Sequence, residues 1–296
     1  MNAYIPHLCG MNKSSSTFQN YYKETVAMAS STWQSLLNEV NSEQKGRLER
    51  LVLENQLACL RGTREEAAPE NPLHSRIGGS ASLPQAIPYP CDRSGRQMML
   101  IALLNFAQLP PCSLNLAKQG ILLLFWNAAR DSSNPKDRNA FKCIWLPDLP
   151  KELVAAPDDA AQICAPCTVS FAASYSVPAS DSFWNEHASE RDLRELLDNR
   201  RSDESAVQLF GVAGDQFELL QEIAAFSGNG ISWSQARRKD SCFSHLVDNA
   251  REWRLFLRIK SSPECGLDLG IKSMNLMIRQ EDLDAFRYDK VWLVVA

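Results

Sequence analysis

The sequence predicts an α+β fold made of mostly antiparallel sheets from an internally duplicated unit, with an N-terminal helical hairpin packed on it. Apolar residues recur at helical spacing in the N-terminal part, and short apolar runs separated by proline and glycine follow from residue 72 onward. Two stretches of this second region, 98–127 and 252–278, also resemble each other. We therefore expect an N-terminal helical segment over residues 1–71 and an α+β domain over residues 72–296.

The helical hairpin is predicted over residues 17–61. The apolar stripe of its first helix consists of Tyr22, Val26, Ala29, Trp33, Leu36, Leu37 and Val40. Asn41 is placed to cap the second helix, with Gln44 as its capping-box partner. The stripe of the second helix consists of Leu48, Leu51, Val52 and Leu60, and Gly62 is placed to end it. We expect this hairpin to pack on the domain through Trp33, Leu37 and Leu51.

Short apolar runs between turn-forming residues predict the strands of the domain. These runs are Met98–Phe106, Ile121–Trp126, Phe141–Leu146, Trp253–Ile259, Met274–Ile278 and Val291–Val295, and Val169–Val177 is predicted to be extended. A charged helix is predicted over Ser189–Asn199. A second helix is predicted to begin at the capping-box pair Asp215 and Glu218 and to end at Gly228.

Two of these strand pairs share a pattern. Met99–Asn105 is followed by Gly120 and a second apolar strand, and Arg254–Lys260 is followed by Gly270 and another. The order of strand, irregular link, glycine and strand indicates duplication of an antiparallel unit. Coincidence between two apolar hairpins is the alternative, because short repeats carry little information.

Composition and charge exclude several classes of protein. The chain has 296 residues with a net charge of −4, so it can bury its own core and lacks the basic character of a nucleic-acid binder. The longest apolar run, Met98–Leu104, is shorter than the roughly 20 residues of a membrane span. Pro6 and His7 stand where a signal peptide needs an apolar core, and the nine cysteines show no disulfide framework. We expect a cytoplasmic protein that binds neither membranes nor nucleic acid.

The glycine pair Gly78-Gly79 is a candidate for a tight turn. No Lys-Ser or Lys-Thr follows it, and a Leu-Pro stands where a phosphate-binding loop would begin a helix. We therefore interpret the pair as a turn that requires positive φ angles.

Two cysteine-containing motifs could carry chemistry. Cys164-Ala-Pro-Cys167 has the spacing of a redox pair or of half a zinc site, and Cys242 lies three residues before His245 on a predicted helix. The first motif lies in a proline-bearing loop without a second ligand pair, and the Cys–His pair lacks a third group. We interpret both as structural and expect no catalytic residues, no metal and no cofactor.

Three stretches carry a family resemblance. The first is Ser75–Pro84, with its glycine pair and Leu-Pro. The second is Leu116–Trp126, in which a glycine precedes an aliphatic-aromatic strand. The third is Trp253–Ile259 followed by Ile278–Leu283. Together they resemble the YwqG-like family, a bacterial family with a domain of unknown function. The resemblance covers about residues 72–296 and implies an α+β fold with an internal duplication, without an established chemistry. Immunity against a toxin encoded nearby is a function associated with such families.

These observations lead to two hypotheses about function. The first is a non-enzymatic interaction protein, an immunity protein whose acidic balance complements the basic surface of a toxin from a neighbouring gene. Its partner-binding residues are predicted to be Asp215, Glu218 and Asp268, although Asp215 also fits a role as a helix cap. The second is an enzyme or small-ligand-binding protein with a site in the cleft between the duplicated halves.

Overall fold

The computed structural model describes residues 57–65, 71–92, 94–127, 140–157, 163–176, 205–213, 216–236, 243–263, 266–270 and 272–296. The strands are β1 (Leu57–Glu65), β2 (Arg76–Ile77), β3 (Met99–Asn105), β4 (Ile121–Trp126), β5 (Phe141–Leu146), β6 (Cys167–Ser176), β7 (Val207–Leu209), β8 (Trp253–Lys260), β9 (Ser273–Arg279) and β10 (Trp292–Val295). The α-helices are α1 (Phe217–Gly228), α2 (Trp233–Ala236), α3 (Ser244–Asp248) and α4 (Gln280–Asp284). Single 3-10 turns cover Phe106–Gln108, Asn249–Glu252 and Tyr288–Lys290.

The strands form one antiparallel sheet in the order β10-β9-β8-β7-β1-β6-β2-β3-β4-β5. Two meanders, β3–β4–β5 and β8–β9–β10, form its two ends. Between them the long strands β1 and β6 pair along their length, from Leu57 opposite Ser176 to Glu65 opposite Thr168. The very short strands β2 and β7 connect this central pair to the meanders.

Alternate side chains of each strand face the inside and the outside of the curved sheet. In β4, Leu122 and Leu124 belong to the inner core, whereas Ile121, Leu123 and Phe125 belong to an outer apolar cluster. The segment before β3 covers this outer cluster with Ala81, Leu83, Ile87 and Tyr89. Burial on both faces explains why β4 is a continuous apolar run rather than an alternating one.

The sheet curls until its two end strands approach each other, so that it forms a nearly closed barrel. Phe141 on β5 and Trp292 on β10 meet edge to face, with ring centroids 5.6 Å apart. Tyr288, in the turn before β10, packs against Trp145 of β5 with a centroid distance of 4.7 Å. The Cys143 thiol of β5 also donates a hydrogen bond to the Tyr288 carbonyl at 3.4 Å.

Stacked aromatic rings fill the interior of this barrel. Phe106 and Phe256 each stack against Tyr288, with centroid distances of 5.0 and 5.1 Å, and all three are buried. The Tyr288 hydroxyl accepts a hydrogen bond from the Ala117 amide at 3.0 Å, which satisfies the polar end of the ring. Burial raises the pKa of Tyr288. The interior is therefore a packed core, as in other small barrels.

The helices form a layer outside β8, β9 and β10. Leu220, Ile223 and Ala224 of α1 pack against Leu255, Met277 and Val294 of the sheet. The buried Gln221 side chain donates to the Trp253 carbonyl at 2.6 Å, which fixes α1 to the beginning of β8. None of the helices in the described ranges combines the length and the apolar character that a bilayer span requires.

The predicted N-terminal hairpin is wrong where the structure describes it. Residues 57–61, the end of the predicted second helix, belong to strand β1 (Leu57–Glu65) at the centre of the sheet. Gly62, interpreted as a helix stop, lies inside this strand. A glycine is needed there, because a Cβ would come within 3.0 Å of Val169, Phe171 and Val207. Residues 17–56 of the predicted hairpin, and the predicted helix Ser189–Asn199, lie outside the described residues.

The predicted fold class is also wrong in its architecture. The structure has one large antiparallel sheet with few helices, instead of several sheets made from a duplicated unit. Strands from the beginning of the chain pair with strands from its later part: β1 pairs with β7, and β2 pairs with β6. The two parts of the chain therefore do not form separate sheets. The division of the chain at residues 71 and 72 stays a prediction.

Candidate partner-binding surfaces

The structure places the predicted partner-binding residues on separate elements. Glu218 is exposed in the first turn of α1, and Asp268 is exposed in the connection between β8 and β9. Asp215 lies outside the described residues. The residue that caps α1 is Gln216, and its side chain makes no capping hydrogen bond.

Asp268 has a local structural role. Its Oδ1 accepts a hydrogen bond from the Gly270 amide at 2.9 Å, which closes an Asx turn between the two strands. The carboxylate is otherwise exposed, so a partner can still reach its second oxygen. Asn at this position would keep the turn and remove the charge, which separates the two roles.

The exposed start of α1 combines two carboxylates with an apolar side chain. Glu218 and Glu222 are one helical turn apart, and Leu219 beside Glu218 is 37% exposed. Partial burial and, second, the charge of Glu218 raise the pKa of the Glu222 carboxyl. Like charges at this spacing on a helix repel each other. We call Glu218, Leu219 and Glu222 the acidic face.

The glycine pair and the Cys-x-x-Cys motif, which are far apart in the sequence, meet in the structure. The Gly79 amide donates to the Cys164 carbonyl at 2.9 Å, and Cys167 pairs with Ile77 between β6 and β2. Gly78 and Gly79 have φ angles of 73° and 72°, as the predicted turn requires. A Cβ on Gly78 would lie 2.3 Å from the Cys164 sulfur. Both thiols are buried, and this contact joins the two loops.

The second cysteine motif is only partly described. His245 is exposed on α3, while Cys242 lies outside the described residues. Among the residues that the structure describes, no three histidine, cysteine or acidic side chains come together as metal ligands.

Register places a polar row on the outer face of the sheet that the sequence analysis missed. Arg61 of β1 lies opposite Gln208 of β7, Gln208 opposite Arg258 of β8, and Arg258 opposite Asn275 of β9. Gln208 is buried and donates to the carbonyls of Phe210 and Val212, which shapes the chain entering α1. No spacing in the sequence reveals this row, because its members come from four strands.

A buried carboxylate, Asp92, organises the turn before β3. Its Oδ1 accepts from the amides of Ser94 and Arg96 at 2.8 and 3.0 Å, and its Oδ2 accepts from the Arg96 side chain and from Asn127. Burial alone would raise the pKa of Asp92, but the hydrogen bonds from Arg96 and Ser94 outweigh it and lower the pKa. A carboxylate satisfied in this way stabilises structure and is not placed for proton transfer.

The lowered pKa of Asp92 predicts part of the acid sensitivity of the protein. A carboxyl group with a lower pKa in the folded state stabilises that state above its unfolded pKa, near 3.9, and loses this contribution as the pH falls through the folded pKa. In urea titrations between pH 7 and pH 2, Asp92→Asn should therefore lose less stability on acidification than the wild type. Equal slopes for Asp92→Asn and the wild type would contradict the prediction.

Comparison with known proteins identifies one family. The model of a family described as a domain of unknown function, DUF1963, matches residues 75–296. No curated protein matches the chain. The matched region includes every strand except β1 and contains the acidic face and the loops joined by Gly78 and Cys164.

Proposed function

Since the chain belongs to the DUF1963 family of proteins of unknown function, we propose that it is a non-enzymatic protein that acts by binding a partner protein. We propose further that it is a cytoplasmic immunity protein of the YwqG-like group, and that its partner is a toxin encoded by a neighbouring gene. The net charge of −4 supports this proposal, because it favours association with the basic surface of a toxin that attacks nucleic acid.

The acidic face carries the proposal. Glu218 and Glu222 place two carboxylates on successive turns of α1, and the exposed Leu219 beside them adds apolar area for a contact. A lysine or arginine of a partner would pair with these carboxylates, and Leu219 would become buried. Exposed apolar groups ringed by charge are typical of protein-binding surfaces.

The alternative is an enzyme or small-ligand-binding protein with a site in the cleft between the duplicated halves. The strands form one sheet instead of two such halves, so this cleft gives the alternative no support. Phe106, Tyr288 and Phe256 are buried and pack together inside the barrel.

Co-expression tests the proposal directly. The product of the adjacent gene should arrest growth when expressed alone, and this protein should restore growth when expressed with it. The double variant Glu218→Lys, Glu222→Lys should weaken the rescue, whereas the exposed control Glu152→Lys should not. An adjacent product that is harmless alone, or that stays toxic in the presence of this protein, would refute the immunity function.

Removal of one charge from the acidic face should affect stability and binding in opposite directions. Because the pKa of Glu222 is raised in the folded state, its ionisation opposes folding as the pH rises above the unfolded value. Glu222→Gln should therefore raise the free energy of unfolding by about 0.2–0.5 kcal/mol at pH 7 and by nothing below about pH 4. The same variant should slow association with the toxin, because exposed charges act mainly on the association rate. Urea titrations at both pH values and stopped-flow binding measure the two effects, and a destabilised variant would contradict the assignment.

A further inference from the structure

Strand β6 is paired on one side for much more of its length than on the other. Its partner β1 accompanies it from Thr168 to Ser176. On the other side β2 pairs only with Cys167 and Thr168, and one further bond joins the Val169 amide to the Ser75 carbonyl at 2.9 Å. Beyond this bond, no strand within the described ranges pairs with this side of β6, which leaves an opening in the described part of the sheet.

The register identifies the backbone groups along this opening. The Val169 amide points away from β1, and in an antiparallel pair every second residue points its amide and carbonyl to the same side. Phe171 and Ala173 therefore direct their N–H and C=O groups into the opening. Within the described ranges, no hydrogen bond to these four groups is found on that side. We call the side of residues 170–174 that faces away from β1 the β6 edge.

The side chains along the β6 edge leave room for a further strand. Ala172 on the outer face and Ala173 on the inner face are both exposed. The whole strand, Cys167–Ser176, contains neither a charged residue nor a proline. Exposed edges in native proteins usually carry such residues to prevent pairing, so an edge without them is suited to pairing with another chain.

Arg61 gives the outer side of this edge a positive charge. It lies opposite Ala172 on β1, and its Nη2 donates to the Tyr175 carbonyl at 3.2 Å. Tyr175 is an even number of residues from Val169, so its carbonyl also points away from β1. The hydrogen bond to this carbonyl therefore places the Arg61 guanidinium on the open side of β6. The inner side is apolar, because Phe171 packs at the border of the interior core.

We propose that the β6 edge binds an extended segment of the partner protein as an additional β-strand. The backbone groups of Phe171 and Ala173 would supply the hydrogen bonds, as in other cases of strand addition. The segment should carry acidic side chains on the outer side, toward Arg61, and apolar side chains on the inner side, beside Phe171. That the segment belongs to a toxin rests on the proposed function, whereas binding of a strand at the β6 edge can be tested without knowing the partner.

A synthetic peptide provides the test. The probe is an acetylated and amidated heptapeptide of alternating valine and glutamate, and a valine–lysine heptapeptide is its control. At saturating glutamate peptide, hydrogen exchange of the Phe171 and Ala173 amides should slow at least tenfold, and the lysine peptide should have no effect. Unchanged exchange with the glutamate peptide would overturn the proposal.

Two variants sharpen the test. Ala173→Pro removes an edge donor without removing a bond to β1, because the Ala173 amide faces the opening, and it should weaken peptide binding at least tenfold. Arg61→Gln should weaken binding of the glutamate peptide about threefold but leave a valine–threonine heptapeptide unaffected. Thermal unfolding checks that each variant is folded. Wild-type affinity in both folded variants would contradict the proposal.

The same exchange experiment distinguishes other occupants of the edge. If the Phe171 and Ala173 amides exchange slowly without peptide, and more slowly at higher protein concentration, the edge binds a second copy of the chain. Protection independent of concentration would assign it to the chain itself, and either result overturns the proposal. Peptide binding without rescue from the toxin would refute the immunity function and leave the strand-addition site standing.

Discussion

Replacing Gly78 with alanine is expected to destabilise the protein by about 3 kcal/mol. The φ angle of 73° is strained for any residue with a Cβ, which accounts for about 1–2 kcal/mol. The new methyl group would also lie 2.3 Å from the Cys164 sulfur and 2.8 Å from the carbonyl oxygens of Cys164 and Ala165. Relief of this overlap requires the loop before β6 to move, at a further cost of about 1–3 kcal/mol. Urea unfolding of the purified variant measures the sum.

Gly95 provides a matched control that isolates the cost of backbone strain at a positive φ angle. It has a φ angle of 78°, but a Cβ there would meet nothing within 4 Å. Gly95→Ala should therefore lose only about 1–2 kcal/mol. Cys164→Ala should partly rescue Gly78→Ala, because it removes the nearest atom and leaves the two carbonyl contacts. If Gly78→Ala loses no more stability than Gly95→Ala, the close approach of the two loops does not explain the glycine.

Loss of the Arg76 guanidinium should have a similarly large effect. Arg76 is 3% exposed, and it donates to the carbonyls of Pro72, His74 and Ser80 at 2.6, 3.3 and 2.8 Å. Burial lowers its pKa to about 10, so it remains charged at neutral pH. Arg76→Met would leave three carbonyls without their donor, and we expect it to lose about 3 kcal/mol in the free energy of unfolding.

Two further variants identify the cause of that loss. Arg76→Lys keeps the charge, but an ammonium group cannot replace two guanidinium nitrogens in a fixed plane, so we expect an intermediate loss of about 1–2 kcal/mol. The exposed Arg251→Met should change stability by less than about 0.5 kcal/mol. Equal losses for Arg76→Met and Arg251→Met in urea titrations would show that the carbonyl contacts do not stabilise the turn.

Short apolar strands between turn-forming residues were the most predictable elements. β4 and β5 have the predicted bounds, Ile121–Trp126 and Phe141–Leu146, because short, mostly apolar runs between breakers allow few other structures. β1 was misassigned because Leu60 continued a helical spacing and Gly62 followed it as a stop would. The strand forms because Gly62 admits the neighbouring side chains of Val169 and Val207, which no local pattern reveals.

Surface sites were less predictable than strands. Glu218 was identified from a capping-box pattern, and the structure shows it exposed at the beginning of α1. Glu222 was missed, although its spacing of four residues from Glu218 on a predicted helix was a usable signal. The β6 edge was not predictable, because a strand reveals an open side only when its neighbours are known.

The sequence by itself determined where most strands lie, that Gly78-Gly79 turns with positive φ, and that the chain can bury a core of its own. Each of these follows from interactions within a few residues: apolar periodicity, turn chemistry and composition. The tertiary structure alone decided that β1 pairs with β6 and β7, that Gly78 meets Cys164, and that Arg61, Gln208 and Arg258 share a row. These contacts join residues far apart in the chain, and strand register, which sets them, depends on all neighbouring strands at once.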